Sequence, residues 1–352
     1  MTSLAARGAA APEIDGFLDG LLDHAEALAA RHCPPGDRFV AGPLAFSLRT
    51  VGAAYRTRLT TALAFARDDM APERLRIVAL DGAAGAGEPP AWDLPVTEPS
   101  HLERLHERPG LVGRYDPDTR TWRVLSRARD LALTWTADAA ALPEWEDSCP
   151  LRDILHWHSC GADWLLLHAA CVGAEGAGAL LTGAGGSGKS TTTAACVLAG
   201  MATTGDDFVL VHPQPPPRAH ALFDTIKLDE VSLAALPSWR RAVANPARPG
   251  DQKARLHLGH ARPDALARDG LALRAVLLPH VAGAARTRIA PASRAEALRA
   301  LAPSTMFLLR GGAAAGMAKI GALLRALPAF RVALGTDPLE AAAAVAAFLE
   351  HA

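Results

Sequence analysis

Apolar residues at Ile14, Phe17, Leu18, Leu21, Leu22, Ala25 and Leu28 recur every three to four positions. That period lines one face of a helix, so residues 14–28 are expected to be helical and buried on one side. Pro34-Pro35-Gly36 ends the pattern. Residues 1–11, ahead of it, are expected to be a disordered tail. Residues 39–66 and 75–80 mix strand-like runs with one helix-compatible stretch, and 83–90 is a Gly/Pro/Ala loop. Two alternating runs, 111–115 and 121–125, flank Asp116-Pro117-Asp118 and predict a hairpin.

Residues 143–150 are bounded by prolines and mark a domain boundary. A helix is expected over 151–160, a strand over 164–172, and a glycine-rich turn over 173–178. A short apolar strand, 179–182, then precedes a glycine-rich loop, and a helix over 191–198 stops at Gly200. Further strands are expected at 208–211, 222–228, 252–258 and 276–279, and a helix at 294–301. Near the end, Asp337 reads as an N-cap, Pro338 as the first helical residue and Glu340 as the third, opening an Ala-rich helix to His351. The predicted layout is an α+β N-terminal domain, residues 12–150, followed by an α/β domain, residues 151–352. The first carries no chemical motif, which leaves it recognition, assembly or structural support.

Composition narrows the classes. With 352 residues, half of them apolar, the chain is long enough for two cores. A net charge of −1 provides no basic field for nucleic acid or an anionic membrane, so neither is an expected partner. The first residues carry no apolar run of signal-peptide type, and no stretch of eighteen apolar residues lacks charge. The five cysteines are scattered, odd in number and without a C-x-x-C pair, which suits reduced thiols in a cytoplasm. His156-Trp157-His158-Ser159-Cys160 lacks a second ligand pair at zinc spacing and reads as local packing. Of the 36 basic residues only four are lysine: Lys189, Lys227, Lys253 and Lys319. Arginine serves as the general surface charge, so a lysine here is more apt to be required chemically.

The clearest chemistry is G-x-x-x-x-G-K-[ST] between a strand and a helix: Gly183, Ala184, Gly185, Gly186, Ser187, Gly188, Lys189 and Ser190, followed by Thr191. Glycines let the backbone wrap a phosphate where a Cβ would block it. Loop N–H groups and the helix N-terminus face the anion, Lys189 supplies charge to the β- and γ-phosphates, and Ser190 offers a hydroxyl to Mg²⁺. ATP and Mg²⁺ are the expected cofactors. Downstream, Asp206 and Asp207 are paired carboxylates beside a strand. Such a pair can divide the work between holding Mg²⁺ and accepting a hydroxyl proton; a metal site with no base, or a solvated turn, are the plainer readings. Lys227, Lys253 and Arg255 are candidates to neutralise charge on a transferring phosphoryl group.

The stretch 165–207 resembles the catalytic domain of the HPr serine kinase/phosphorylase family. That family places a histidine on a strand, then a hairpin, a phosphate loop and an Asp-Asp pair after the loop helix; here these are His168, 183–190 and Asp206-Asp207. The resemblance is firm over about forty residues and weaker from there to about Leu301; it does not cover residues 1–150. It implies a P-loop kinase domain with a mixed sheet, akin to the HPr kinase and phosphoenolpyruvate carboxykinase cores. It makes Asp206 the base, puts Asp207 with Ser190 at the metal, and sets His168 beside the pair. The family's arginine-and-glycine signature is not found after the Asp pair. In its place stand Phe223-Asp-Thr-Ile-Lys227-Leu and Gly250-Asp-Gln-Lys253-Ala-Arg255, so neither the reverse reaction nor HPr as acceptor is carried over. The pattern is closer to the related kinases of lasso-peptide and other modified-peptide pathways, which implies a peptide or protein partner with an acceptor serine. A small-molecule hydroxyl kinase and a nucleotide-switched binding protein are the two rival readings, and a homo-oligomer is compatible with all three. Lys189→Ala is expected to remove most ATP affinity and all turnover, measured by calorimetry and a phosphate-transfer assay, because the β/γ-phosphate charge is then uncompensated.

Overall fold

The computed structural model describes residues 3–33, 36–94 and 104–351. They form an α/β protein with mixed sheets. Among the described residues no helix is long and apolar enough to cross a membrane. The chain divides into two compact units, Met1–Thr61 with Ala66–His158, and Ala62–Phe65 with Ser159–Ala352. The expected boundary at residue 150 therefore falls eight residues early, and the four-residue segment Ala62–Phe65 belongs with the second unit. A reason is visible in the backbone, where the Asp224 N–H donates to the Ala62 carbonyl at 3.1 Å.

The first unit is a seven-stranded sheet. Its strands are β1 (Asp37–Ala41), β2 (Leu44–Val51), β3 (Arg76–Asp81), β4 (Arg104–Arg108), β5 (Leu111–Asp116), β6 (Thr121–Ser126) and β7 (Leu131–Thr136), in the order β1-β2-β3-β7-β6-β5-β4. β2, β3 and β7 run parallel and the other neighbours antiparallel. Helix α1 (Ser3–His32) takes in part of the expected tail; Met1 and Thr2 lie outside the described residues, as do Pro34 and Pro35 of the expected helix stop. As its spacing predicts, α1 buries Ile14, Leu18, Leu21, Leu22 and Ala25, and does so against Val78, Leu80, Trp122, Val124, Leu133 and Trp135 of the sheet. Helix α2 (Ala53–Thr61) makes the crossover between β2 and β3 and packs through Tyr55 and Leu59, with the Tyr55 hydroxyl 3.1 Å from that of Thr134. The predicted hairpin is β5–β6, its turn fixed by the Asp116 carboxylate accepting from the Asp118 N–H at 3.0 Å. Two helices follow, α3 (Trp145–Ser148) and α4 (Arg152–Cys160).

The second unit is built on a nine-stranded mixed sheet. It and a separate ribbon together hold eleven strands, of which the central one has 14 residues. They are β8 (Leu165–Leu167), β9 (Ala170–Ala174), β10 (Ala177–Leu181), β11 (Ala202–Gly205), β12 (Val209–His212), β13 (Arg218–His220), β14 (Thr225–Leu228), β15 (Ala254–His257), β16 (Leu271–Ala284), β17 (Arg288–Ala292) and β18 (Ala329–Gly335). The sheet order is β11-β9-β10-β16-β13-β12-β8, with β18 also on β16 and β17 on β18; β14 and β15 form a separate antiparallel ribbon. β16 pairs parallel with both β10 and β18. The helices are α5 (Lys189–Leu198), α6 (Glu230–Ala235), α7 (Leu258–Ala261), α8 (Arg294–Leu308), α9 (Ala313–Ala326) and α10 (Pro338–Glu350). α5 and α10 pack on β9, while Leu301, Ile320, Leu323 and Leu324 of α8 and α9 close a core with Leu165, Leu167, Val209, Val211 and Val276. α10 is capped as expected by Asp337, which accepts from the Leu339 N–H at 2.9 Å, but Glu340 turns away to accept from the Thr287 N–H at 2.9 Å.

One ion cluster in the first unit yields a prediction. Asp37, 5% exposed, receives two hydrogen bonds from Arg56 at 2.6 and 2.7 Å and lies 3.0 Å from Arg67. The Arg56 hydrogen bonds, against the cost of burial, hold its carboxyl below the ordinary range. A depressed folded value means stability that is present above the unfolded pKa of about 3.9 and lost as pH falls through the folded value. Asp37→Asn should cost about 1–3 kcal/mol near neutrality, with the deficit shrinking below about pH 4, as urea melts at several pH values will show.

Candidate functional site

β10 ends at Leu181, and the chain then turns through 183–188 into α5. Gly188 is the residue before the helix and has φ +97°, a conformation that favours glycine. A Cβ there would lie 2.3 Å from Leu334 Cδ1 on β18, so the loop lies tight against that strand. The Lys189 ammonium donates to the Gly183 carbonyl at 2.7 Å and to the Ala184 carbonyl at 3.1 Å, and the residue is 8% exposed. Burial lowers the pKa of Lys189, against the attraction of Asp206 and Asp207. The Thr191 hydroxyl is 2.7 Å from that of Ser232.

The Asp pair lies in a bend between β11 and β12, not on a strand. Gly205, with φ +142°, starts the bend, and a Cβ there would meet the Phe208 carbonyl oxygen at 3.0 Å. On a regular strand neighbouring side chains point to opposite faces; the bend frees the pair from that rule. Asp206 is buried, and its Oδ2 accepts from the Lys227 N–H at 3.2 Å. Burial first, and then the negative charge of Asp207, push Asp206 up to about 6, against the stabilising Lys227 N–H and Ser190 hydroxyl. Its other oxygen, Oδ1, is buried without a hydrogen-bond partner. Asp207 is 22% exposed; its Oδ1 is 3.1 Å from His168 Nε2 and its Oδ2 is 2.5 Å from the Lys227 ammonium. Burial alone would raise Asp207, but the hydrogen bond from His168 and the Lys227 charge reverse this and hold the carboxyl well below the ordinary range.

His168 does not lie within a strand. The expected strand over 164–172 is broken into β8 and β9, and His168 stands at the break. Its backbone N–H donates to the Thr305 hydroxyl at 3.2 Å, and its ring packs 5.4 Å from that of Phe208. Lys227 comes from β14, where its register partner on β15 is Arg255.

A cavity of about 260 Å³ joins these groups. Its lining combines Gly185, Gly186, Ser187, Gly188, Lys189, Ser190 and Thr191 with His168, Asp207, Lys227 and Lys253. Gly183 and Ala184 act instead through the carbonyls that hold Lys189. Arg255 is the candidate the structure does not bring to the lining; its backbone N–H is tied to the Asn245 side chain at 2.8 Å. Asp206 lies just behind the lining, beside Ser190. The lining also includes residues that the motifs did not single out: Asp229, Val231, Ser232 and Val281. Asp229 caps α6 by accepting from the Ser232 N–H at 2.8 Å. An Asp-x-x-Ser pattern before a helix was the available signal for it.

The donor set fits a divalent cation at one place. Asp206 has one buried carboxylate oxygen, Oδ1, without a partner, and the Ser190 hydroxyl bears on the same carboxyl group; carboxylate and hydroxyl oxygens are the ligands that Mg²⁺ takes. The glycine loop and Lys189 provide N–H groups and charge for an anion. No protein-family model matches the chain, and no curated protein matches it significantly.

The loop geometry makes a stability test. Gly188→Ala must accept both a positive φ and the Leu334 contact, so it should lose about 1–3 kcal/mol, read as a lower denaturation midpoint.

Proposed function

We propose that the chain is an ATP- and Mg²⁺-dependent kinase that transfers phosphate to a hydroxyl, most simply the serine of a peptide or protein. The observation that carries this reading is the single cavity that the glycine loop, Lys189 and Ser190 line together with His168, Asp207, Lys227 and Lys253. A switch protein needs the phosphate cradle alone. A histidine and carboxylate hydrogen-bonded to each other in the same lining fit an acceptor that must lose a proton. The hairpin β9–β10 leading into the loop, with His168 beside the Asp pair, also supports the likeness to HPr serine kinases and to the kinases of modified-peptide pathways.

In this reading the loop N–H groups and Lys189 bind the β- and γ-phosphates. Mg²⁺, when bound, neutralises charge on the phosphate oxygens. The two aspartates then divide the work in the reverse of the sequence-based assignment. Asp206, with one buried oxygen unpartnered and the Ser190 hydroxyl on the same carboxyl group, takes the metal side. Asp207 faces the cavity and takes the acceptor side. The pKa of Asp206 would suit a base, but position comes before pKa in choosing one. Moreover, the burial and like charge that raise Asp206 are what a bound cation offsets. Asp207, held in orientation by His168 and Lys227, accepts the hydrogen bond of the hydroxyl. The hydroxyl oxygen forms a bond to the γ-phosphorus, the bond from that phosphorus to the β–γ bridging oxygen breaks to release ADP, and the hydroxyl proton passes to Asp207. In a loose transition state that proton leaves late, so a weakly basic carboxylate suffices. Lys227 and Lys253 offset charge on the moving phosphoryl group.

The test is mass spectrometry of serine-containing peptides after incubation with ATP, together with Mg²⁺ titrations of Asp206→Asn and Asp207→Asn. Asp206→Asn should raise the Mg²⁺ requirement, and Asp207→Asn should lower kcat about 10²–10⁴-fold at unchanged ATP affinity. Normal transfer by Asp207→Asn at saturating Mg²⁺ would return the base to Asp206. No transfer to any hydroxyl, with ATP still bound, would leave the nucleotide-switch reading.

A further inference from the structure

A larger cavity, about 450 Å³, lies elsewhere in the second unit, at the C-terminal end of α5 beside Leu198. It shares no lining residue with the loop cavity. Its floor includes Trp239, 2% exposed, whose indole N–H donates to the Ala194 carbonyl of α5 at 3.2 Å. Around the apolar floor stand Ser238, Arg241, His257, His260 and Arg262, and no carboxylate is among the lining residues. Arg262 donates through Nε to one oxygen of the exposed Asp264 at 3.3 Å and through Nη2 to the other at 3.1 Å, which leaves Nη1 for a ligand.

His257 is held in a way that packing alone does not call for. Its Nδ1 is 3.0 Å from Asp224 Oδ1, and the Asp224 side chain is wholly buried. The second Asp224 oxygen accepts from the Gly259 N–H at 3.0 Å. Both carboxylate oxygens are thus used in orienting the ring and the turn after β15. Among the described residues nothing bonds His257 Nε2. A histidine oriented through one nitrogen by a buried carboxylate, with the other nitrogen left over at a cavity, is ready to meet a ligand.

The donors select the ligand's chemistry. The Arg241 guanidinium, the remaining Nη1 of Arg262, an imidazole and a hydroxyl still supply more N–H and O–H groups than the two oxygens of a carboxylate can use. The three terminal oxygens of a phosphate ester match them, and guanidinium binds such oxygens in pairs. The apolar floor accommodates a carbon skeleton, and the volume lies in the range of small-molecule sites. We propose that this cavity binds a small phosphate monoester, with the phosphate on Arg241, Arg262 and His257 and the organic part against Trp239.

The site is independent of the kinase reading and is tested apart from it. Full-length Lys189→Ala protein, with the phosphate loop impaired, is titrated with inorganic phosphate, glucose 6-phosphate and gluconate by calorimetry at fixed ionic strength. Saturable one-to-one binding of glucose 6-phosphate, weakened at least tenfold by adding Arg241→Ala, is expected. Arg241 is exposed, so that variant keeps its fold; His257→Gln should weaken binding in the same direction where it folds. Absence of saturable binding by both phosphate probes, or binding that Arg241→Ala leaves unchanged, would overturn the site. Gluconate binding as tightly as glucose 6-phosphate would overturn the phosphate assignment.

Discussion

Asp207 ties together three stretches that are far apart in the chain. One oxygen meets His168, from the break between β8 and β9; the other meets the Lys227 ammonium, from the ribbon β14–β15. The Lys227 N–H is bonded in turn to Asp206, so the ribbon is attached to the Asp pair by both its backbone and its side chain. An ion pair of this kind is costly to desolvate and repays the cost only when its geometry is held. Here the bend at Gly205, the sheet under His168 and the register of β14 with β15 hold it. The placing of Asp207 and Lys227 in the same cavity as the glycine loop depends on these attachments rather than on any long element.

The scarcity of lysine has a physical counterpart. An ammonium is compact and has three donors, whereas a guanidinium is a planar fork. Lys189 donates from its one nitrogen to two adjacent loop carbonyls, at 2.7 and 3.1 Å. Lys319 donates to the carbonyls of Cys160, Ala162 and Trp164, which close the end of α4 and lead into β8. That lysine has no part in the cavity; it fixes the entry to the strand before His168. Of the four lysines, Lys189, Lys227 and Lys253 line the cavity and Lys319 closes a helix end.

The local features were legible in the sequence because each rests on near neighbours. The loop, the α5 helix with its stop at Gly200, the β5–β6 hairpin and the Asp337 cap all depend on a few adjacent residues. The break at His168 was not legible. Leu165 to Val172 is apolar nearly throughout, and the run divides only because β8 pairs with β12 while β9 pairs with β10 and β11. That Ala62–Phe65 belongs with the second unit was not legible for a similar reason, since the backbone bond between Asp224 and Ala62 joins residues with no shared local pattern. Arg255 was grouped with Lys227 and Lys253 by charge and proximity. Its register opposite Lys227 places it on the ribbon, yet the lining is reached from Lys227 and Lys253 alone.

Charge balance decides how such a cavity can take a polyphosphate. Lys189, Lys227 and Lys253 stand against Asp206, Asp207 and Asp229, so the fixed charges roughly cancel. Asp207 also holds Lys227 in an ion pair, which reduces the field that this ammonium offers to a ligand. A polyphosphate adds several negative charges close to three carboxylates, and loop N–H groups supply only partial charges in return. On the proposed reading a divalent cation beside Asp206 and Ser190 is therefore needed for nucleotide binding itself, and not only for the chemical step. Nucleotide affinity and Mg²⁺ affinity are then linked, each raising the other by the same factor. On that reading the buried, unpartnered oxygen of Asp206 is the group through which the two affinities would be linked.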